Sequence, residues 1–257
     1  MKTRVITAIA ALIVFLPLLY VGGDYFKYTT FALAVMAMYE IVRMTFKETN
    51  IVVLGLSSLA GALLYLREEI LGLSQYGIVY LLVIGMLGVV VVTGHRIKLV
   101  EIGSIIFVTV YIFVGFYSLY MLRDLSLAHI GYLLLTIWFT DSFAYIGGMR
   151  FGKNKLSPKI SPNKSIEGSV IGSLSSIVIA LVFYFTTSIF TNLAVAIGIT
   201  LVVSVIGQFG DLIESAYKRE YGVKDSSNLL PGHGGIFDRF DSVILSAPCL
   251  ILLLNLL

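Results

Sequence analysis

Charged residues gather in a polar segment, residues 211–241, that lies between two strongly apolar stretches. Ten of its 31 residues are charged: Asp211, Glu214, Lys218, Arg219, Glu220, Lys224, Asp225, Asp238, Arg239 and Asp241. Carboxylates spaced for a divalent ion lie here beside lysines and arginines suited to phosphate, with a glycine-rich bend between them. Phosphoryl and nucleotidyl transfer require this combination, so the segment predicts chemistry on a phosphate group.

Three carboxylates of this segment are the predicted ligands of a divalent ion. Asp211 is expected at the end of an apolar span, and Asp238 and Asp241 are spaced to share one face of a first helical turn. Oxygen ligands from two segments suit a hard cation such as magnesium. The alternative interpretation is that Asp238 and Asp241 are only the acidic residues that a helix amino terminus favours.

Cations and a turn accompany these carboxylates. If the preceding helix continues into the segment, Ser215 and Lys218 lie one and two turns beyond the first carboxylate, with Arg219 adjacent. The bend at residues 231–235 lets backbone amides approach an anion, although an ordinary loop turn also explains it. His233 alone is weak support for a general base, because a phosphate monoester is already anionic near neutral pH.

A second charged segment covers residues 141–168. It adds seven charges: Asp141, Arg150, Lys153, Lys155, Lys159, Lys164 and Glu167. Together the two segments hold 17 of the 33 charged residues. Asp141 lies near the end of an apolar run, where a carboxylate is costly and is usually functional or paired with a cation. Part of the basic charge suits anionic headgroups, but Pro158 and Pro162 predict a loop of fixed shape.

The elements that must position these residues are membrane spans. Mean hydropathy is +0.96, and 13% of residues are charged, against about 25% in soluble domains. We predict an all-α, polytopic membrane helix bundle of about nine transmembrane helices, because no alternating barrel pattern is present. The first run is interpreted as a retained span, since no small-x-small cleavage site follows it. The predicted spans lie near residues 5–21, 28–42, 51–65, 77–92, 102–122, 129–146, 170–190, 193–209 and 242–257.

Basic residues predict the orientation of these spans. Three of them, Lys27, Arg67 and Arg123, fall on one side under the nine-span prediction. Fifteen fall on the other: Lys2, Arg4, Arg43, Lys47, Arg96, Lys98, Arg150, Lys153, Lys155, Lys159, Lys164, Lys218, Arg219, Lys224 and Arg239. This bias predicts a cytoplasmic amino terminus. Residues 1–128 are then the transmembrane scaffold, and residues 129–257 the catalytic region with cytoplasmic loops 147–169 and 211–241.

These residues carry a resemblance to a known family. The pattern Ser215-x2-Lys218-Arg219-x4-Lys224-Asp225-x5-Pro231-Gly232-His233-Gly234-Gly235-x2-Asp238-Arg239-x-Asp241 resembles the signature of phosphatidate cytidylyltransferases, the CDP-diacylglycerol synthases. Residues 161–168 resemble that family's second motif, with Asn163 and Ser165 where the usual form has Lys and Thr. The resemblance covers the second half of the chain well, and the first half only in hydropathy and span number.

The resemblance implies a membrane nucleotidyltransferase of phospholipid biosynthesis that converts CTP and phosphatidic acid to CDP-diacylglycerol and pyrophosphate. It implies Mg²⁺, a monovalent cation such as K⁺, a homodimer, and a bacterial inner membrane with the active site facing the cytoplasm; no nucleic-acid partner is expected. The implied metal ligands are Asp211, Asp238 and Asp241. The implied catalytic residues are Lys164, Lys218, Arg219, Lys224, Asp225, His233 and Arg239. The implied substrate-binding residues are Asp141, Ser161, Ser165, Glu167, Ser215, Gly234 and Gly235.

Other functions remain open at this point. A CTP-dependent lipid kinase would transfer the terminal phosphoryl group of CTP, and not CMP, to a lipid alcohol. An ion-coupled transporter would use Asp141 and the acidic residues to bind a translocated ion, but the charges concentrate in predicted loops. The CDP-alcohol phosphotransferases are disfavoured, because their D-G-x2-A-R-x8-G-x3-D-x3-D pattern is absent from the sequence.

Overall fold

The computed structural model describes residues 2–70, 74–94 and 96–256, except for the side chains of residues 2–5, 8, 67–70 and 75. The side chains of Lys2, Arg4 and Arg67, which enter the predicted charge bias, lie outside this description. Leu257, the predicted end of the last span, also lies outside the described residues.

Ten helices and one short hairpin lie within the described residues. The helices are α1 Lys2–Val21, α2 Gly23–Phe46, α3 Ile51–Ile70, α4 Gln75–Val92, α5 Leu99–Leu125, α6 Leu127–Phe151, α7 Ile166–Ser175, α8 Ile177–Thr186, α9 Leu193–Glu220 and α10 Phe237–Leu254. The antiparallel strands are β1 Lys155–Ser157 and β2 Ser161–Ser165. Only Ser176 separates α7 from α8, so the described chain contains nine helical segments when these two are counted together.

Among the residues that the structure describes, five helical segments are long and apolar enough to cross a membrane: Gly23–Phe46, Leu99–Leu125, Leu127–Phe151, Ile166–Thr186 and Leu193–Glu220. Three shorter apolar helices are Ile9–Val21, Ile51–Leu66 and Tyr76–Val92. The prediction of an all-α, polytopic membrane bundle is therefore confirmed. The predicted span at 170–190 begins earlier, because the Ser165 side chain caps α7 by accepting a hydrogen bond from the amide of Gly168.

The described chain divides into two compact units, and neither is continuous in sequence. The first comprises Met1–Tyr120 with Asp225–Asp238. Its core contains fully buried side chains from α2 and α5, including Phe26, Met38 and Phe116. The buried Thr109 hydroxyl is hydrogen-bonded inside this core: it lies 3.0 Å from Ser57 Oγ and 2.7 Å from the carbonyl of Ile105.

The second unit comprises Met121–Lys224 with Arg239–Leu257. Its helices α6 and α7 approach closely at glycines: a Cβ placed on Gly168 would lie 2.6 Å from the carbonyl oxygen of Ala144, and one on Gly172 would lie 2.6 Å from that of Thr140. Small residues at such a crossing allow two backbones to pack tightly inside a membrane. Strand β2 ends directly before α7, so the close packing of α6 and α7 also sets the position of the β1–β2 hairpin.

Candidate active site

The hairpin segment between α6 and α7 is shaped by one local carboxylate. Glu167 accepts hydrogen bonds from the backbone amides of Lys153 at 3.1 Å and Asn154 at 3.2 Å. It also accepts one from the Asn154 side-chain amide at 2.7 Å. These three donors tie the start of the segment to the first turn of α7. Glu167, predicted to bind substrate, therefore has a structural role in the segment itself.

An ion pair joins this hairpin to α9. The Lys164 ammonium lies 2.5 Å from Asp211 Oδ2, and both side chains are 29% exposed. Helix α9 continues without interruption through Asp211 to Glu220, so Ser215 follows on the same face and its hydroxyl donates to Asp211 Oδ1 at 3.3 Å. The two sequence segments that carry the predicted phosphate-binding and metal-binding residues thus meet at Asp211.

A cavity of about 430 Å³ opens at this ion pair. Its polar wall includes Asp141, Asn163, Lys164, Ser165, Gln208 and Asp211. Its apolar wall includes Tyr145 and Met149 of α6, which are 68% and 66% exposed. The cavity therefore combines charged groups at one wall with exposed apolar side chains at another.

Gln208 of this wall is held by a buried polar network. Its amide nitrogen donates to the hydroxyl of Ser173 at 2.9 Å and, at 3.4 Å, to the carbonyl of Ser169. Ser173 in turn lies 3.1 Å from the hydroxyl of Ser204, to which Thr140 donates at 2.9 Å. Gln208 is not among the residues predicted from the sequence. Its position in an apolar run, just before Asp211, was a usable signal.

Three carboxylates cluster at the end of the second unit. Asp211, Glu214 and Asp241 each offer an oxygen atom, and these atoms lie within 4.8 Å of one another. Asp241 joins the cluster because α9 and α10 pack closely at Gly210. A Cβ on Gly210 would lie 2.5 Å from the carbonyl oxygen of Asp241. Such a cluster of oxygen donors fits a hard metal cation. Glu214 was not predicted, although its spacing of three residues from Asp211 on one helix indicates a shared face.

The predicted phosphate-binding cations of α9 have specific partners. Lys218 lies 2.7 Å from Glu214 Oε1, and the two side chains are 11% and 2% exposed. Arg219 donates from Nη1 to the carbonyl of Val223 at 3.0 Å and from Nε to that of Ile160 at 3.4 Å. Arg219 therefore links the end of α9 to the hairpin segment.

Several predicted residues are found at exposed positions. Lys224, Asp225 and Arg239 are exposed, whereas Ser161 is half-buried at the start of β2. Within the contacts described, the structure does not bring these four residues to the cavity wall, and their predicted roles stay predictions.

Asp238 lies in the first unit, where it organises the glycine-rich bend. Its Oδ2 accepts hydrogen bonds from the backbone amides of Ser226 at 2.8 Å and Gly235 at 2.7 Å. It also accepts one from the Ser226 hydroxyl at 2.7 Å. Gly234 has a φ of +84°, and a Cβ there would lie 2.6 Å from the same Asp238 oxygen, so this position requires glycine.

Residues 230–234 form a tight turn. The amide of His233 donates to the carbonyl of Leu230 at 2.8 Å, and the amide of Leu230 donates to that of Gly234 at 2.9 Å. The Nδ1 atom of His233 is buried and has no hydrogen-bond partner within the part of the chain that the structure describes. The turn thus has a packing reason for its glycines that is independent of any anion.

Comparison with known proteins identifies the family. The model of the cytidylyltransferase family matches residues 2–257. The chain belongs to this family. It is 37% identical over 258 residues to the phosphatidate cytidylyltransferase of Staphylococcus haemolyticus. It is 38% identical over 258 residues to the proteins of the same name from Staphylococcus aureus and Staphylococcus epidermidis. In each case the alignment covers 99% of both chains. The family match therefore extends through the first half of the chain, where the sequence motifs gave similarity only in hydropathy and span number.

Proposed function

We infer that the protein is a phosphatidate cytidylyltransferase, which converts CTP and phosphatidic acid to CDP-diacylglycerol and pyrophosphate. The main support for this function is the cavity, which has Lys164 and Asp211 at one wall and exposed Tyr145 and Met149 at another. A phospholipid needs both surfaces, because its headgroup is anionic and its chains are apolar. The relatives named phosphatidate cytidylyltransferase, which align over 99% of both chains, support the same activity.

The chemistry is a nucleotidyl transfer. A phosphate oxygen of phosphatidic acid attacks the α-phosphorus of CTP and forms a new P–O bond. The bond from that phosphorus to the oxygen bridging it to the β-phosphorus breaks, and pyrophosphate leaves with the electron pair. The attacking phosphate is already anionic, so no base has to remove a proton from it.

We propose that one cation of the cavity wall and two cations further along α9 bind the phosphates. Lys164 contributes from the hairpin, and Lys218 and Arg219 contribute from α9. Their side chains are held by Asp211, by Glu214 and by backbone carbonyls respectively. A cation that is already positioned loses less conformational freedom when substrate binds. The remaining catalytic and substrate-binding residues predicted from the sequence belong to the same proposal, except Glu167, whose contacts lie within the hairpin segment.

A metal belongs to the proposed reaction, and the donor set suits one. Asp211, Glu214 and Asp241 would hold it, and Mg²⁺ is the proposed ion because its preferred ligands are oxygens. When bound, it would neutralise negative charge on the triphosphate. Asp238 stays a predicted ligand from the sequence, and K⁺ is the proposed monovalent cation.

The protein is a multi-pass membrane protein, and its relatives are bacterial. We propose that it lies in the bacterial cell membrane, which is the inner membrane predicted from the sequence. Its active site would face the cytoplasm, where CTP is available. Single cysteines at exposed Lys155 and Asn228, in a Cys249→Ser background, provide the test. Reaction with a membrane-impermeant reagent from the outer face of intact cells would contradict this orientation.

We propose that residues 1–128 act mainly as scaffold and residues 129–257 carry the transfer reaction, since the cavity wall is drawn from α6, the hairpin segment, α7 and α9. A homodimer is also proposed from the family resemblance. Light scattering of the purified protein, corrected for bound detergent, measures its subunit number.

Labelled CTP tests the function directly. With phosphatidic acid and CTP labelled at the α-phosphorus, the purified protein is expected to place label in the lipid and to release unlabelled pyrophosphate. With label at the γ-phosphorus, the lipid should stay unlabelled. A parallel assay with a lipid alcohol as the acceptor tests the kinase: transfer of the γ-label to that alcohol would establish a lipid kinase instead. The absence of any transfer in both assays would contradict both enzymes.

A further inference from the structure

A carboxylate of the first half of the chain is buried beneath the glycine-rich bend. Glu40 lies near the end of α2 and is 1% exposed. Its Oε1 accepts hydrogen bonds from the hydroxyl of Ser227 at 2.7 Å and the amide of Ile236 at 2.9 Å. Its Oε2 accepts from the hydroxyl of Ser226 at 3.0 Å and the amide of Phe237 at 2.9 Å. All of these residues belong to the first compact unit.

The energetics of this contact favour one fixed geometry. A buried carboxylate is costly unless its oxygens are hydrogen-bonded, and bonds to an ionised acceptor are stronger than neutral ones. Two of the four donors are backbone amides at the start of α10, which have no partner one turn earlier in that helix. Glu40 therefore supplies from α2 the cap that the first turn of α10 needs, and the negative charge suits the amino terminus of a helix.

The contact extends to a predicted metal ligand. The Ser226 hydroxyl lies 3.0 Å from Glu40 Oε2 and 2.7 Å from Asp238 Oδ2, so one side chain touches both carboxylates. Gly235 donates its amide to Asp238. A Cβ on Gly235 would lie 2.1 Å from Ser226 Oγ and 2.3 Å from Glu40 Oε2. The bend, Asp238 and Glu40 are thus packed as one group.

We propose that Glu40 is a positioning residue for the transfer reaction, acting through residues 226–238. It fixes the bend and the orientation of the Asp238 carboxylate, and it has no assigned contact with substrate. This proposal rests on the proposed function. It assigns to the first half of the chain a role in the reaction beyond that of scaffold.

The substitution Glu40→Gln tests this role. The amide keeps one acceptor oxygen but places an NH₂ group against backbone amides that can only donate. Glu40→Asp keeps the charge with a side chain shorter by one methylene. Glu48→Gln is the matched control, because it removes an exposed carboxylate eight residues further along the chain. Hydrogen–deuterium exchange without substrate is measured beside steady-state kinetics on the full-length protein.

For Glu40→Gln we expect faster amide exchange in peptides covering residues 226–237 and unchanged exchange over residues 153–168. We expect kcat to fall by about 10- to 100-fold, the usual effect of losing a residue that orients a metal ligand. We also expect the Mg²⁺ concentration that gives the half-maximal rate to rise. Glu40→Asp should recover part of the rate, and Glu48→Gln should match the unchanged protein. A purely structural role would lower the folded fraction and leave the Mg²⁺ requirement and the rate per folded molecule unchanged.

Two results would overturn the proposal: native exchange at 226–237 with unchanged kcat, or a rate loss explained entirely by the folded fraction. If Glu40→Gln does not fold, Ser227→Ala removes one of the four donors. It should change exchange and rate in the same direction by a smaller factor, and no change in either contradicts the proposal. The exchange result needs no turnover. It therefore stays informative if the unchanged protein transfers no CMP, which is the outcome that would refute the proposed function.

Discussion

Two polar segments of this protein are each held by a carboxylate, but the carboxylates come from very different distances along the chain. Residues 153–154 are held by Glu167, 13 to 14 positions away. Residues 226–237 are held by Glu40, 186 to 197 positions away. Glu167 is half-buried at the start of its own helix, whereas Glu40 is fully buried in another helix. The first segment is shaped by local sequence, and the second depends on packing within the first unit.

This difference has consequences for where substitutions should be costly. A local contact reforms whenever its own short segment folds, because closing a loop of that length costs little entropy. A long-range contact that buries a charge must be satisfied fully, since one missing partner leaves an uncompensated buried group. Substitutions around Glu40 should therefore affect the protein more than matched substitutions around Glu167.

The largest effect is expected at the carboxylate cluster of the second unit. Asp211→Asn or Asp241→Asn removes charge from the cluster of three, and turnover should fall by at least about 10²- to 10³-fold. Asp124→Asn, at an exposed position, is the control. Initial rates with CTP and phosphatidic acid measure the effect. Near-normal rates for either variant at ordinary Mg²⁺ would remove the cluster from the proposed site.

Lys164→Ala should have the next largest effect, because the cation lines the cavity and pairs with Asp211. We expect kcat/KM for CTP to fall by about 100-fold, as for a charged group that contacts the transferring phosphates. Lys159→Ala is a matched control, since it removes an exposed lysine from the same hairpin. Equal losses for the two lysines would indicate a general effect of charge and would contradict a specific role for Lys164.

Gly235→Ala tests the long-range contact between Glu40 and the glycine-rich bend. The added methyl group would meet Ser226 Oγ and Glu40 Oε2, so the bend has to shift. We expect kcat to fall by at least about tenfold, because small displacements of catalytic geometry are costly. Gly198→Ala is the control, since a Cβ there meets no atom within 4 Å. A fully active Gly235→Ala variant would show that the bend tolerates displacement.

Glu167→Gln should give the smallest effect, because its contacts are local and exposed. We expect less than about a fivefold change in rate, because contacts of a solvent-accessible charged side chain contribute little. Faster amide exchange should be confined to residues 153–154 and their neighbours. A loss as large as that of Glu40→Gln would contradict the distinction between the two segments and would favour direct contact of Glu167 with substrate.

Hydropathy and charge pattern were enough to predict the class of fold. Apolar runs of spanning length predicted nine helical segments, and the structure contains them because the hydrophobic length of a helix is a local property. The helix boundaries were harder to predict, since they depend on caps such as Ser165 and not on hydropathy. The β1–β2 hairpin was also missed, because strands of three and five residues leave little pattern in a sequence.

Residue spacing identified Asp211, Ser215 and Lys218 on one face of α9, and the helix does continue through them. Glu214 lies in the same helical turn and was open to the same argument. Its neighbour Asp241, in contrast, reaches the cluster only through the close approach at Gly210. The sequence by itself thus determined which residues share a helix face.

Only the tertiary structure decided which faces meet. The pairing of Lys164 with Asp211 joins residues 47 positions apart, and the contact of Glu40 with Phe237 spans 197 positions. Glu40 carried one signal in the sequence, a carboxylate inside an apolar run, but nothing adjacent to it identified its partner. Helix formation and membrane burial depend on neighbouring residues, whereas such pairings depend on how distant helices pack. For that reason the chemistry of this protein was predictable in kind from its residues, and the carboxylate that holds its glycine-rich bend was not.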